Sequence, residues 1–76
     1  MTAMFVVVLQ FTEDGPATTG EWAVADTARR TYRRWVGLYG SQAAAIQLIE
    51  ETDRARHVLR KWTPQGEFAA EPESRT

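Results

Sequence analysis

Arg29, Arg30, Arg33 and Arg34 fall within six consecutive positions. A guanidinium group is a planar fork of N–H donors that grips a carboxylate or a phosphate with two parallel hydrogen bonds. Four of them on two helical turns suit two kinds of ligand, an acidic protein surface or a nucleic-acid backbone. They equally suit the solvated side of an amphipathic helix. The chain carries nine basic and ten acidic side chains, for a net charge of −1. Without these four arginines, five basic residues face ten acidic ones, so the basic character is local.

Other reactive groups are few. His57 is the only histidine and there is no cysteine, which excludes disulfides, thiolate sites and any multi-histidine metal site within one chain. His57 beside Asp53 or Glu50 has the types for general acid–base work, but a lone histidine in a basic, apolar strand reads as structural or solvent-facing. Glu50-Glu51-Thr52-Asp53 matches no calcium loop and reads as an acidic turn. Ser41 and Ser74 lack a histidine partner in context, and no glycine-rich phosphate loop is present. No catalytic, cofactor-binding or metal-binding residue is assigned, and a non-enzymatic protein is expected.

Helix-turn-helix, zinc-finger and aromatic–basic ribonucleoprotein signatures are missing. The tryptophans Trp22, Trp35 and Trp62 favour close packing. Trp22 and Trp62, near the ends of expected strands, are candidates for an interface with another chain.

The elements that must position these residues follow from pattern. Met4–Phe11 is β-branched and aromatic, with apolar residues on both faces, as in an interior strand or one covered by a second chain. Thr12–Gly20 reads as a turn region broken at Asp14-Gly15-Pro16, and Glu21–Ala25 as a returning strand with Trp22 and Val24 on one face. A helix follows over 26–39, with Asp26 as N-cap and Gly40 as a left-handed C-cap. Ala28, Tyr32, Trp35, Val36 and Tyr39 form its apolar stripe, and the four arginines fall on the opposite side. Gly37, on the exposed side, weakens its last turn.

Residues 41–62 fit two patterns. One is a hairpin, Ala45–Glu51 and Arg56–Trp62 around a turn at Asp53-Arg54-Ala55. The other is a second helix capped by Ser41. A helix laid over four strands buries its stripe better than a helix over a lone ribbon, which favours the hairpin.

The expected fold is therefore α+β, a four-stranded antiparallel sheet in the order β-β-α-β-β with one helix on one face; β-β-α-α is the alternative. Residues 1–64 form the domain and 65–76 a disordered acidic tail. Six apolar residues at Met4–Leu9 are too few for a signal core or a membrane span, so a cytoplasmic chain without membrane partners is expected. Heavy use of arginine and alanine, whose codons are GC-rich, over lysine points to a GC-rich genome. The order strand–strand–helix–strand–strand with a charged tail resembles small proteins of GC-rich bacteria and their phages. The functional expectation is a binding or adaptor module, engaging a protein partner or itself as a homodimer. The alternative is a small nucleic-acid-binding regulator using Arg29, Arg30, Arg33 and Arg34.

Overall fold

The β-branched and aromatic run Met4–Gln10 forms strand β1, an interior strand paired on both sides. The computed structural model describes residues 3–69. β1 is followed by β2 (Ala17–Trp22), helix α1 (Ala25–Tyr39), β3 (Ala45–Glu51), β4 (Arg56–Thr63) and β5 (Gly66–Ala69). The five strands form one antiparallel sheet in the order β2-β1-β3-β4-β5, with α1 crossing from the β2 edge back to β3. The α+β class and the hairpin over residues 41–62 agree with the sequence reading, and the second-helix alternative falls away.

Three expectations need correction. The sheet has five strands, because the segment assigned to the tail begins with β5. Thr63 and Gly66 close a tight turn around Pro64-Gln65: the Thr63 hydroxyl donates to the Gly66 carbonyl at 3.2 Å and accepts from the Gln65 amide at 3.2 Å. Gly66 has φ 149°, a conformation only glycine adopts without strain. Residues 70–76 of the expected tail lie outside the described residues.

The second strand starts at Ala17, four residues earlier than expected. Backbone groups along the whole of β1 need partners, and Ala17–Trp22 supplies them from Gln10↔Ala17 to Phe5↔Trp22. The breaker is thus confined to the loop after Gln10, whose side-chain amide donates to the Glu13 and Gly15 carbonyls at 3.2 and 3.0 Å.

Both helix caps also differ. The N-cap is Val24, which makes no side-chain cap bond, and Asp26 lies inside the first turn, where its charge still complements the helix dipole. Gly40 is right-handed (φ −56°, ψ −37°) and donates to the Val36 carbonyl at 2.9 Å. What requires glycine there is space. A Cβ would collide with the Val36 carbonyl oxygen and come within 3.3 Å of the Trp62 ring.

Val7, Leu9, Ala28, Tyr32, Ala43, Ile46 and Leu48 form the core between α1 and the sheet, flanked by Phe5, Trp22, Trp35, Val36, Tyr39, Leu59 and Trp62. The expected helix stripe is therefore the buried one. Tyr39 meets Phe11 edge-on, with ring centroids 6.0 Å apart. Opposite the core, Gly37 is exposed, with nothing within 4 Å of a Cβ built on it. Gly37→Ala is expected to raise stability by about 1 kcal/mol in a urea melt, since only backbone entropy changes.

Candidate functional site

The helix positions its arginines through its own periodicity. Tyr32 and Ala28 point into the sheet, so Arg30, Arg33 and Arg34 are carried outward and are exposed. None of the three makes an ion pair with a described residue. Arg29, at the margin of the core, is half-buried and has an interaction of its own.

The structure divides the arginine cluster in two. Arg30 and Arg34, one turn apart, border a shallow hollow of about 310 Å³ together with Thr27 and Thr31. The Thr31 hydroxyl donates to the Thr27 carbonyl at 2.9 Å and is engaged there, while the two guanidinium groups bring the charged donors. Side chains at this spacing stand roughly 6 Å apart, close to the repeat of every second side chain along an extended strand. Two carboxylates of an extended acidic segment fit that spacing.

Arg33 faces the other flank. With Tyr32, Val36, Arg60 and Glu67 it lines a cleft of about 160 Å³ between α1 and the β4–β5 hairpin. The Tyr32 hydroxyl donates to Glu67 Oε2 at 2.7 Å, and Arg60 Nη1 lies 3.8 Å from the same oxygen. Burial pushes the Tyr32 hydroxyl well above its usual value near 10; the bond to Glu67 and that carboxylate's charge add to the rise, while Arg60 opposes it. Tyr32, Glu67 and Arg60 thus fasten β5 to the helix. The sequence pattern showed Tyr32 as core but not its partner, because Glu67 lay in the segment taken for tail.

The remaining candidates are dispersed. Trp22 and Trp62 are half-buried on the helix side and pack against the core. A Cβ on Gly20 would collide with the Trp22 ring, so the glycine two residues before Trp22 provides its seat. Gly-x-Trp on one strand face was the available signal for that packing. His57 is exposed and stands opposite Glu50 in the β3–β4 ladder. Glu51, across from Arg56, pairs with its Nε at 2.9 Å. Among the described residues no group of three or more His, Asp or Glu could hold a metal ion, and no helix is long and apolar enough to cross a membrane.

Fold and surface together define a small α+β domain with a helix-borne arginine face. Compared with known proteins, the chain matches no family model, no curated protein and no solved structure.

Proposed function

We propose that this chain is a non-enzymatic binding module that works as a homodimer and engages an acidic segment of a protein partner through α1. The observation that carries the reading is the exposure of Arg30, Arg33 and Arg34 without an ion pair to any described residue. Charged side chains anchored on a rigid element, with their donors free, offer a ligand contacts that no internal bond must first break.

A protein ligand fits this surface better than nucleic acid. Tyr32, Trp35 and Tyr39 are turned toward the sheet, so no aromatic ring stands among the arginines to stack on a base. Asp26, in the first turn, also breaks the run of positive charge that a phosphate backbone would follow.

The test uses fluorescence anisotropy with a labelled oligoglutamate peptide and, separately, a labelled DNA duplex. The peptide is expected to bind, and Arg30→Glu/Arg34→Glu is expected to weaken it about tenfold or more, each exposed ion pair being worth about 0.2–1 kcal/mol before repulsion is added. Failure of the wild-type chain to bind the peptide would remove the acidic-partner reading. Binding of the duplex alone, falling steeply with salt, would install the nucleic-acid reading in its place.

A further inference from the structure

Strand β5 carries the chain along the Arg33 flank of the helix. Trp62, paired with Glu67, packs beside Gly40 at the end of α1. Trp22, from which the helix departs, is level with Phe5, Glu50 and His57. From Gly66 to Ala69 the strand therefore runs back toward the helix N-terminus. Glu67 and Ala69 stand on the helix side, since Glu67 bonds the Tyr32 hydroxyl and Ala69 pairs with Arg60, which approaches the same carboxylate.

Past Ala69, β4 still has a side to offer. Arg56, His57 and Val58 pair with β3, and no described residue pairs with them on the other edge. The residues that follow Ala69 in sequence are Ala70-Glu71-Pro72-Glu73, outside the described residues. Proline disfavours helical backbone in the residue before it, which holds Glu71 extended. Pro72 has no N–H to donate, so a ladder on β4 stops at Glu71. An extended chain alternates faces and advances about 3.4 Å per residue, which puts Glu71 on the side of Glu67 and Ala69, about 14 Å beyond Glu67.

The charge of that flank favours a carboxylate. Among the described residues Arg33 and Arg60 line its cleft with a single acid, Glu67, which Tyr32 and Arg60 already engage. Arg29 lies one turn before Arg33, about 6 Å away on the same flank. Helical side chains lean toward the helix N-terminus, so the Arg33 guanidinium leans along the course of β5.

We propose that residues 70 and 71 prolong β5 along β4 and seat the Glu71 carboxylate between Arg33 and Arg29. The chain thus carries its own acidic competitor for the Arg33 flank. A tethered carboxylate two residues from Ala69 reaches its seat at a high effective concentration. An acidic ligand entering there must displace it, and its apparent affinity falls by the fraction of chains whose seat is filled. Arg30 and Arg34, on the other side of the helix, stay open. The competitive role rests on the acidic-partner reading of α1; the contact itself does not.

The chain has no cysteine, so Ser74→Cys accepts a single nitroxide label. In amide NMR spectra the label is expected to broaden Arg29 and Arg33 more than Thr18 and Thr19 on the far edge. Adding Glu71→Lys should lower the ratio of docked to free segment about two- to fivefold, the range of one exposed ion pair, and relieve that broadening. Adding Arg33→Glu as well should restore it. In the anisotropy assay, Glu71→Gln should bind the oligoglutamate peptide about two- to fivefold more tightly than the wild type. Glu13→Gln, the same charge change in the loop after β1, should leave the affinity unchanged.

Broadening indifferent to Glu71→Lys would overturn the contact. Broadening that grows with protein concentration would place Glu71 on a second copy's helix and overturn the seat within one chain. Equal affinities of the wild type and Glu71→Gln for the peptide would overturn the competition alone. A peptide that binds neither would overturn the competition together with the acidic-partner reading, whatever the spectra show of the contact.

Discussion

Tyr32→Ala is expected to lose about 3–5 kcal/mol of folding stability, the usual cost of truncating a fully buried aromatic side chain. Tyr32 is 2% exposed and is the largest of the fully buried side chains. Its ring sits in the core with Ala28, Val7, Ile46 and Leu48, while its hydroxyl reaches the cleft shared with Arg33, Arg60 and Glu67. A core in a chain of this length supplies roughly 3–5 kcal/mol in all, so the variant should be largely unfolded at 25 °C. Tyr32→Phe separates the ring from its hydroxyl. It keeps the packing and removes one hydrogen bond, and Glu67 retains Arg60 and solvent, its side chain being 41% exposed. The expected cost is about 1 kcal/mol. Urea unfolding of the two variants checks both values, and a loss below 1 kcal/mol for Tyr32→Ala would show that this ring does not anchor the helix.

The helix was legible because its two faces differ in residue type at a single period. Tyr32, Trp35 and Tyr39 cannot share a side with Arg30, Arg33 and Arg34 at 100° per residue, and the burial pattern separates them in the same way. The hairpin of β3 and β4 was legible from architecture rather than propensity. Ala44, Ala45, Leu48 and Ile49 read equally well as a helix, and only the need to cover the stripe of α1 decided between them. β2 was misplaced by four residues because Thr18, Thr19 and Gly20 follow a strong breaker, and composition does not reveal how soon pairing resumes. Register is set by the partner strand. Gly40 shows a different limit: glycine at a helix end suggests a left-handed cap, whereas here the residue is right-handed and a Cβ would collide with the Val36 carbonyl oxygen four residues back, with the Trp62 ring close beside it. The Trp62 approach, from 22 residues further along, has no local trace.

The candidate surface was legible to a similar degree. Which arginines exist and which side they occupy followed from spacing. Their division did not, because it depends on what lies beside the helix. Arg33 looks toward β4 and β5, and β5 was expected to be unstructured. Arg30 and Arg34 look away from that hairpin, across Thr27 and Thr31. The double-sided apolar pattern of Met4–Phe11 foreshadowed that residues on both faces of β1 are buried, Val7 and Leu9 toward α1 and Val6 on the other side beside Ile49.

Stability is expected to fall steeply at alkaline pH through Tyr32. In the unfolded chain this hydroxyl loses its proton near pH 10. In the folded chain it keeps the proton to higher pH, because ionising it would bury a charge and set it against Glu67. Above pH 10 the unfolded state therefore binds fewer protons than the native state, and stability declines as pH rises. The contribution is fully present below pH 10 and is lost progressively above it, at up to about 1.4 kcal/mol for each pH unit. Measured by urea midpoints between about pH 8 and 11, the wild-type curve should bend downward near pH 10. Tyr32→Phe carries no ionisable group at this position, so its curve should be flatter and the two should converge, then cross, as the pH rises. Parallel curves would mean that the Tyr32 hydroxyl titrates alike in both states and that its bond to Glu67 does not hold β5 against the helix.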